Sequence, residues 1–172
     1  MKKLILATLL IFGTAFALQA QKYAYIDSDY IMENVPEYQD AKSKLNKLAE
    51  KWTKEIEDRY LDLKVKKDAF AREEVLLPEE EKKKRADDIT RLETEAMEMQ
   101  KLRFGVSGDY FAKRQEMIKP IQDKVFEAMQ KVASKKNYTF VFDKANQSNL
   151  VYADSKFDIS DDVLKEMGYN PK

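Results

Sequence analysis

The sequence predicts a mainly α-helical protein, in which a long antiparallel helical hairpin (a coiled-coil arm) stands on a small body of short β-strands. Three observations predict this fold. Apolar residues recur every three or four positions over most of the chain, as they do along the seam between paired helices. A proline-containing break at residues 76–79 divides that pattern into two long halves. Short runs of aromatic and β-branched residues lie near both ends, at 23–26 and 138–142.

The first twenty residues are typical of a secretory signal peptide. Lys2 and Lys3 supply a positive start, and residues 4–16 form an apolar run that is too short to span a bilayer comfortably. Small residues follow, and we expect cleavage after Ala20; the alternative is an uncleaved N-terminal anchor. The chain has no cysteine and therefore neither a lipid-modified cysteine nor a disulfide. The sequence predicts a soluble protein exported to the periplasm.

The composition argues against an enzyme. With no histidine and no cysteine, the chain lacks the usual general base, thiol nucleophile and commonest metal ligands. It also carries no Gly-rich phosphate loop, no G-x-S-x-G and no calcium-loop spacing. The acidic pairs at 57–58 and 87–88 favour solvated helix surface, because neighbouring residues on a helix diverge. We therefore expect no catalytic residue, no cofactor and no metal.

The arm is predicted over residues 36–119, with its tip near 76–79. The apolar seam of the outgoing helix consists of Tyr38, Ala41, Leu45, Leu48, Trp52, Ile56, Tyr60 and Leu63. The seam of the return helix consists of Ile89, Leu92, Ala96, Met99, Val106, Tyr110, Met117 and Ile121. Pairing by distance from the tip sets Gly105 opposite Trp52, which indicates either steric accommodation or a flexible point. Pro120 predicts a kink where the arm rejoins the body.

The body is predicted from residues 21–35 and 120–172. It would contain strands at 23–26, 138–142 and 150–153, and a last helix that begins with Ser160 as N-cap and ends at Gly168. The strands are apolar on both faces, so the sheet requires cover on both faces. Self-association through the strands would provide it. The alternative is a monomer, with helix 121–134 on one face and the last helix on the other.

The ends of the chain carry a family resemblance. Residues 23–28 (YAYIDS), 36–38 (PEY), 138–143 (YTFVFD), 149–154 (NLVYAD) and 158–164 (DISDDVL) resemble the Skp/OmpH periplasmic chaperones. The resemblance covers essentially the whole mature chain, although the arms match mainly in pattern. It implies a homotrimer whose strands form a shared β-barrel and whose arms surround a cavity. The residues that would carry oligomerisation are Tyr25, Ile26, Phe140, Phe142, Val151 and Tyr152.

By the same resemblance, the function would be that of an ATP-independent holdase that keeps unfolded outer-membrane proteins from aggregating. Adaptable apolar side chains on the arms would make many weak contacts with such clients. The candidates lie outside the seam or near the tip, although ordinary interhelical packing would explain each of them as well. They are Phe70, Val75, Leu76, Leu77, Met97, Phe104 and Phe111. The alternative function is a non-catalytic periplasmic coiled-coil scaffold or spacer.

The charge balance limits the other partners. Without residues 1–20 the chain keeps 29 of its 31 basic residues and all 31 acidic residues, a net charge of −2. Residues 36–77 carry 10 basic and 10 acidic side chains, and residues 79–136 carry 14 and 12, so these helices total +2 against −4 for the rest. Such a weak charge asymmetry attracts charged partners only slightly at physiological salt. The sequence therefore predicts no nucleic-acid binding and weak or absent contact with a membrane surface.

Overall fold

The computed structural model describes residues 21–145 and 150–171 of the chain. The predicted signal peptide, residues 1–20, lies outside them. The chain divides into two compact units. We call the unit formed by residues 36–123 the arm, and the unit formed by residues up to 35 and from 124 onward the body. The body therefore takes its residues from both ends of the chain.

The fold is mainly helical, as the sequence predicts, and the described residues contain a small two-stranded sheet. The elements follow in the order β1 (Tyr23–Ile26), α1 (Ser28–Glu33), α2 (Pro36–Glu73), a 3₁₀ turn (Glu74–Leu76), α3 (Glu79–Phe104), α4 (Asp109–Lys136), β2 (Phe140–Asp143), a second 3₁₀ turn (Ser155–Phe157) and α5 (Ser160–Glu166). Helix α4 contributes residues to both units and continues past Pro120, so this proline does not end the helix.

In the arm, α2 and α3 lie antiparallel. Tyr60 donates a hydrogen bond to Oε1 of Gln100 at 3.2 Å, and nearer the turn Arg85 pairs with Glu73 at 2.6 Å. The buried residues of α2 recur at helical spacing and therefore form one apolar stripe along the helix. Its buried residues are Ala41, Leu45, Trp52, Ile56 and Leu63. In α3 the buried residue is Ala96.

The return half of the arm is not one continuous helix. It is interrupted between α3 and α4 at Gly105–Val–Ser–Gly108. A Cβ at Gly108 would lie 2.6 Å from the carbonyl oxygen of Leu102. A Cβ at Gly105 would collide with the carbonyl oxygen of Lys101. Both glycines are therefore required by the backbone path. The expectation that Val106 belongs to the seam is wrong: Val106 is 96% exposed, because the helical phase is lost at the interruption.

In the body, β1 and β2 pair in parallel, with Tyr23 opposite Phe140 and Tyr25 opposite Phe142. Asp27 follows β1 and caps α1, since its side chain accepts a hydrogen bond from the backbone N–H of Tyr30 at 3.0 Å. The core of this unit collects the apolar residues of both chain ends. It consists of Ala24, Tyr25, Ile26, Ile31, Met32, Val35, Val125, Ala128, Val132, Ile159, Val163 and Leu164.

Helix α5 ends as predicted, but it begins differently. Gly168 has a φ of 88°, and the N–H groups of Gly168 and Tyr169 bond the carbonyls of Lys165 and Leu164, which is the Schellman arrangement. Ser160 is not the N-cap. Its hydroxyl accepts a hydrogen bond from the backbone N–H of Asp27 at 2.8 Å, and Ile159 holds the cap position. The buried Ser160 thus ties the start of α5 to the end of β1.

The predicted third strand, at residues 150–153, is wrong for the single chain. This segment has no regular secondary structure, and Val151 and Tyr152 are 95% and 82% exposed. A strand needs a neighbour for its backbone groups. One side of β1 is paired with β2, and the backbone N–H of Ile159 bonds the carbonyl of Tyr25 at 3.0 Å. Residues 158–159 thus take a position on β1 that a further strand would need.

Candidate functional site

The distal part of the arm has ion pairs between its helices and no fully buried residue on α2. Leu63 is the last buried residue of α2. Beyond it, Lys66 pairs with Asp88 at 3.2 Å and Lys67 pairs with Glu93 at 2.9 Å. These side chains are 38–44% exposed, so each pair contributes little to stability. The distal arm is therefore a thinly packed surface.

The candidate client-binding residues fall into two groups. The first lies at the tip, where Val75 and Leu76 in the 3₁₀ turn are 85% and 82% exposed, while Phe70 and Leu77 are partly covered. The second lies around the interruption of the return helix. There Met97, Phe104 and Phe111 are 53%, 40% and 46% exposed. The two groups lie at different positions along the arm, so they do not form a single site.

Aromatic and charged side chains cluster at the interruption. The ring of Phe104 meets Trp52 edge-on at 6.2 Å between centroids, and it lies 6.1 Å from the ring of Tyr110. The guanidinium carbon of Arg103 lies 4.8 Å from the centroid of Trp52, and Arg103 forms an ion pair with Asp109. Phe104 thus has a packing role besides its exposed surface. The sequence had indicated the proximity of Trp52 to this region.

An open groove of about 890 Å³ lies beside the interruption. Val106 is 96% exposed and Leu102 is 60% exposed at this groove. Arg59, Lys101, Glu95 and Glu98 also line it, so both signs of charge border its apolar part. Sequence reasoning missed Leu102 and Val106 as exposed apolar residues. The signal that could have found them is the glycine pair at 105 and 108, which marks the point where the seam changes phase.

In the body, one face of the sheet presents exposed aromatic rings. Tyr23 stacks on Phe140 with 5.6 Å between centroids and on Phe142 with 6.4 Å. These three rings are 46%, 49% and 42% exposed, whereas Ala24 and Ile26 on the opposite face are buried. Side chains alternate between the faces of a strand, so the sheet is covered on one face and open at these rings.

The six candidate oligomerisation residues are divided by this arrangement. Tyr25 and Ile26 are 7% and 6% exposed and belong to the core of the body. The other four are exposed in the single chain: Phe140, Phe142, Val151 and Tyr152. Tyr23 belongs with the exposed group, although nothing in the sequence pattern separates it from Tyr25. The reason is structural, because Tyr25 is bridged to Asp158 and Tyr23 is not.

Asp88, Tyr25 and Tyr30 are among the side chains whose pKa values are shifted by their surroundings. Hydrogen bonds from Arg91 and Lys66 lower the pKa of Asp88. Burial, and then the charge of Asp158, raises the pKa of Tyr25. A hydrogen bond to Asp161 raises the pKa of Tyr30. The shift of Asp88 reflects ion pairing within the arm, and the shifts of Tyr25 and Tyr30 reflect packing and hydrogen bonding within the body.

Within residues 21–145 and 150–171, no group of three or more His, Cys, Asp or Glu side chains is arranged to hold a metal ion. Over the same part of the chain, no helix has both the length and the apolar character needed to cross a membrane.

Comparisons with known proteins place this fold in a family. The model of the family described as "Outer membrane protein (OmpH-like)" matches residues 22–167. An uncharacterised protein of Aquifex aeolicus (strain VF5) is 31% identical over 167 residues, which cover 97% of this chain and 96% of that protein. A crystal structure from Caulobacter crescentus CB15, described as a candidate outer membrane chaperone (OmpH-like), superposes with a TM-score of 0.65. It is 12% identical and covers 84% of this chain and 82% of its own, so it shows a shared fold.

The chain belongs to the OmpH-like family. The family match spans both the arm and the body, from just before β1 to just after α5. It confirms the resemblance inferred from the sequence motifs at the two ends of the chain.

Proposed function

We propose that this protein is an ATP-independent periplasmic holdase, which binds unfolded outer-membrane proteins between helical arms and prevents their aggregation. Membership of the OmpH-like family supports a chaperone role. The observation that carries the proposal is the distribution of apolar side chains on the arm. The exposed apolar residues lie in the tip turn, on α3 and in the break after it, among exposed residues that are mostly charged, and they are 53–96% exposed: Val75, Leu76, Met97, Leu102 and Val106.

These exposed apolar side chains are suited to making many weak contacts with an unfolded client. An unfolded β-barrel protein presents alternating apolar residues in no fixed shape, so a rigid complementary pocket would not fit it. Scattered apolar side chains, with methionine among them, adapt to different partners. When several arms surround one client, each further contact forms at a high effective concentration, and the sum holds the client firmly. Such binding requires neither nucleotide nor catalytic residues.

The arms would be brought together by a homotrimer with a shared β-barrel. The exposed rings of Tyr23, Phe140 and Phe142 support this proposal, because they form an apolar face open to a second chain. The segment at 150–153 supports it as well, since Val151 and Tyr152 are exposed in the single chain. In the proposed trimer this segment pairs as a strand with a neighbouring chain. Tyr25 and Ile26 then stabilise the body from within.

The proposed location is the periplasm, after export by a cleaved signal peptide. The near-neutral charge of the mature chain supports apolar rather than electrostatic capture of clients. Binding to a membrane surface is correspondingly weak or absent in this proposal, and nucleic acid is not a partner.

Aggregation of an unfolded client tests the proposal. A β-barrel outer-membrane protein is unfolded in urea and diluted into buffer with increasing amounts of the mature chain, and light scattering is followed. We expect scattering to fall as the chaperone concentration rises, equally with and without ATP. Unchanged scattering would contradict the holdase and favour the scaffold or spacer. A client that refolds spontaneously serves as the control, and its yield should not change.

A further inference from the structure

One side chain ties together three helices at the interruption of the return helix. Arg103 lies in the last turn of α3, and its ion pair with Asp109, the first residue of α4, spans the four residues of the break. Its guanidinium carbon also lies 4.8 Å from the centroid of Trp52 on α2. Arg103 therefore covers a face of the indole while joining the two halves of the return helix.

The position of Arg103 depends on Asp109. The Nε atom of Arg103 is buried without a hydrogen-bond partner, and the side chain as a whole is 28% exposed. A buried donor without a partner favours withdrawal of the group into water. The ion pair with Asp109 and the contact with the indole oppose that withdrawal. Without the carboxylate of Asp109, Arg103 is a partly buried cation, and its guanidinium is more stable in solvent than beside the indole.

The backbone of the break offers little resistance to such a change. The N–H groups of Val106 and Ser107 make no hydrogen bond within the described chain. The N–H of Gly108 bonds only the carbonyl of Gly105, at 2.9 Å. Segments with few protected backbone bonds open at low cost compared with a continuous helix. Movement at this point is therefore restrained mainly by side chains.

We propose that Arg103 is a latch with two positions. In the closed position it covers Trp52 and pairs with Asp109, as in the structure. In the open position it extends into solvent, Trp52 becomes accessible, and the angle between α3 and α4 is free to change. The latch gives the arm a second state with more exposed aromatic surface, and it stands independently of the chaperone role.

Acrylamide quenching of fluorescence tests the latch directly, because Trp52 is the only tryptophan of the chain. We expect Asp109→Asn to raise the Stern–Volmer constant about twofold or more, since loss of the ion pair releases Arg103. Asp109→Glu keeps the carboxylate and should restore most of the protection. The matched control is Glu93→Gln, which removes the 2.9 Å pair between Lys67 and Glu93 without touching the break, and its quenching should equal that of the wild type.

Circular dichroism is recorded on each variant to establish that it is folded. Wild-type quenching in a folded Asp109→Asn protein would overturn the latch. If that variant is unfolded, a salt series on the wild type decides, because salt screens a partly exposed ion pair. Quenching that rises between about 0.05 M and 1 M NaCl, while helicity stays constant, supports the latch. Quenching that stays flat over this range overturns it.

Discussion

The ring of Phe104 meets the indole of Trp52 edge-on, with 6.2 Å between the ring centroids and an angle of 80° between their planes. This contact joins α2 to the last turn of α3, immediately before the return helix is interrupted. Aromatic pairs in this geometry stabilise the fold by more than the burial of their apolar area alone. Phe104 is also 40% exposed, so the same side chain serves packing and offers surface.

Truncation of Phe104 should therefore weaken the arm. We expect Phe104→Ala to lower the free energy of unfolding by about 1–2 kcal/mol, less than for a fully buried phenylalanine. The emission of Trp52 should shift to longer wavelength as its cover is lost. Val75→Ala is the control, since Val75 is 85% exposed and its truncation should change stability by less than about 0.5 kcal/mol. Equal stability of the two variants would show that the aromatic contact does not hold the arm.

The structure also predicts the effect of Gly105→Ala. The sequence left two outcomes open: a gain in helicity if the glycine is merely weak, or a loss of stability if it makes room for a neighbour. The added Cβ would collide with the carbonyl oxygen of Lys101, so we expect a loss of about 1–3 kcal/mol in urea unfolding. Ser107→Ala is the control, because Ser107 is exposed in the same loop. A Gly105→Ala protein as stable as the control would contradict this backbone path.

The interruption shows what periodicity can predict and what it cannot. The spacing of Leu45, Trp52 and Ile56 predicts a long buried stripe, because a single helix fixes which residues share a face. The prediction from spacing is wrong at Val106, which is exposed. The chain leaves the helix between Gly105 and Gly108, so residues after the break no longer follow the helical repeat of α3. A glycine pair lowers helix propensity wherever it occurs, but the periodicity of the sequence does not show whether the helix breaks there.

Asp88 predicts a pH dependence of the distal arm. Hydrogen bonds from Arg91 and Lys66 lower its pKa in the folded state, so the stability it contributes is present above its unfolded pKa of about 3.9 and is lost as the pH falls through its folded pKa. Asp88→Asn should therefore lower the melting temperature at pH 7, and the difference from the wild type should shrink below pH 4. Asp87→Asn is the control, since Asp87 makes no ion pair within the described chain. A difference that is constant with pH would argue against these ion pairs.

Phe140 provides the test of assembly. If the exposed rings form the interface between chains, Phe140→Asp should convert the trimer to monomers, because an unpaired charge in an apolar interface is costly. Phe126→Asp is the matched control, since Phe126 is also an exposed phenylalanine of the body, at 55%, but lies on α4. Light scattering gives the mass of each protein. A wild-type mass of one chain would contradict the trimer, and monomers of both variants would show general destabilisation instead.

The segment at 150–153, which the sequence predicts to be a strand and which is not one in the single chain, explains why part of the body could not be predicted from one sequence. Tyr152 and Val151 have the composition of a strand, yet a strand forms only beside an edge with free backbone groups. In the single chain, residues 158–159 take that position on β1. The β-propensity of residues 150–153 is a property of the segment itself. Whether the segment forms a strand depends on which chain supplies a free strand edge beside it. The C-terminal end of α5 was predictable because Gly168 determines it locally.

The last prediction concerns where clients bind. Deleting residues 62–94, and joining Leu61 to Glu95 through a short Gly/Asn loop, would shorten each arm by roughly 24 Å at 1.5 Å per residue. It removes the ion-paired distal part and the tip, and it keeps the contact between Trp52 and Phe104. We expect the variant to remain folded and trimeric, because the proposed interface lies in the body. Its capacity to suppress aggregation should fall sharply, and more for large clients than for small ones.

A full-length variant with Val75→Ser and Leu76→Ser separates surface chemistry from arm length. Both residues are more than 80% exposed, so their replacement should leave the melting temperature unchanged. If the tip contacts clients, the double variant should lose part of the activity that the deletion loses, in the same light-scattering assay. If the double variant is fully active and the deletion variant is not, clients bind to the rest of the distal arm. Full activity of both would move the binding surface to the proximal arm or the body, and the candidate residues at the tip would be wrong.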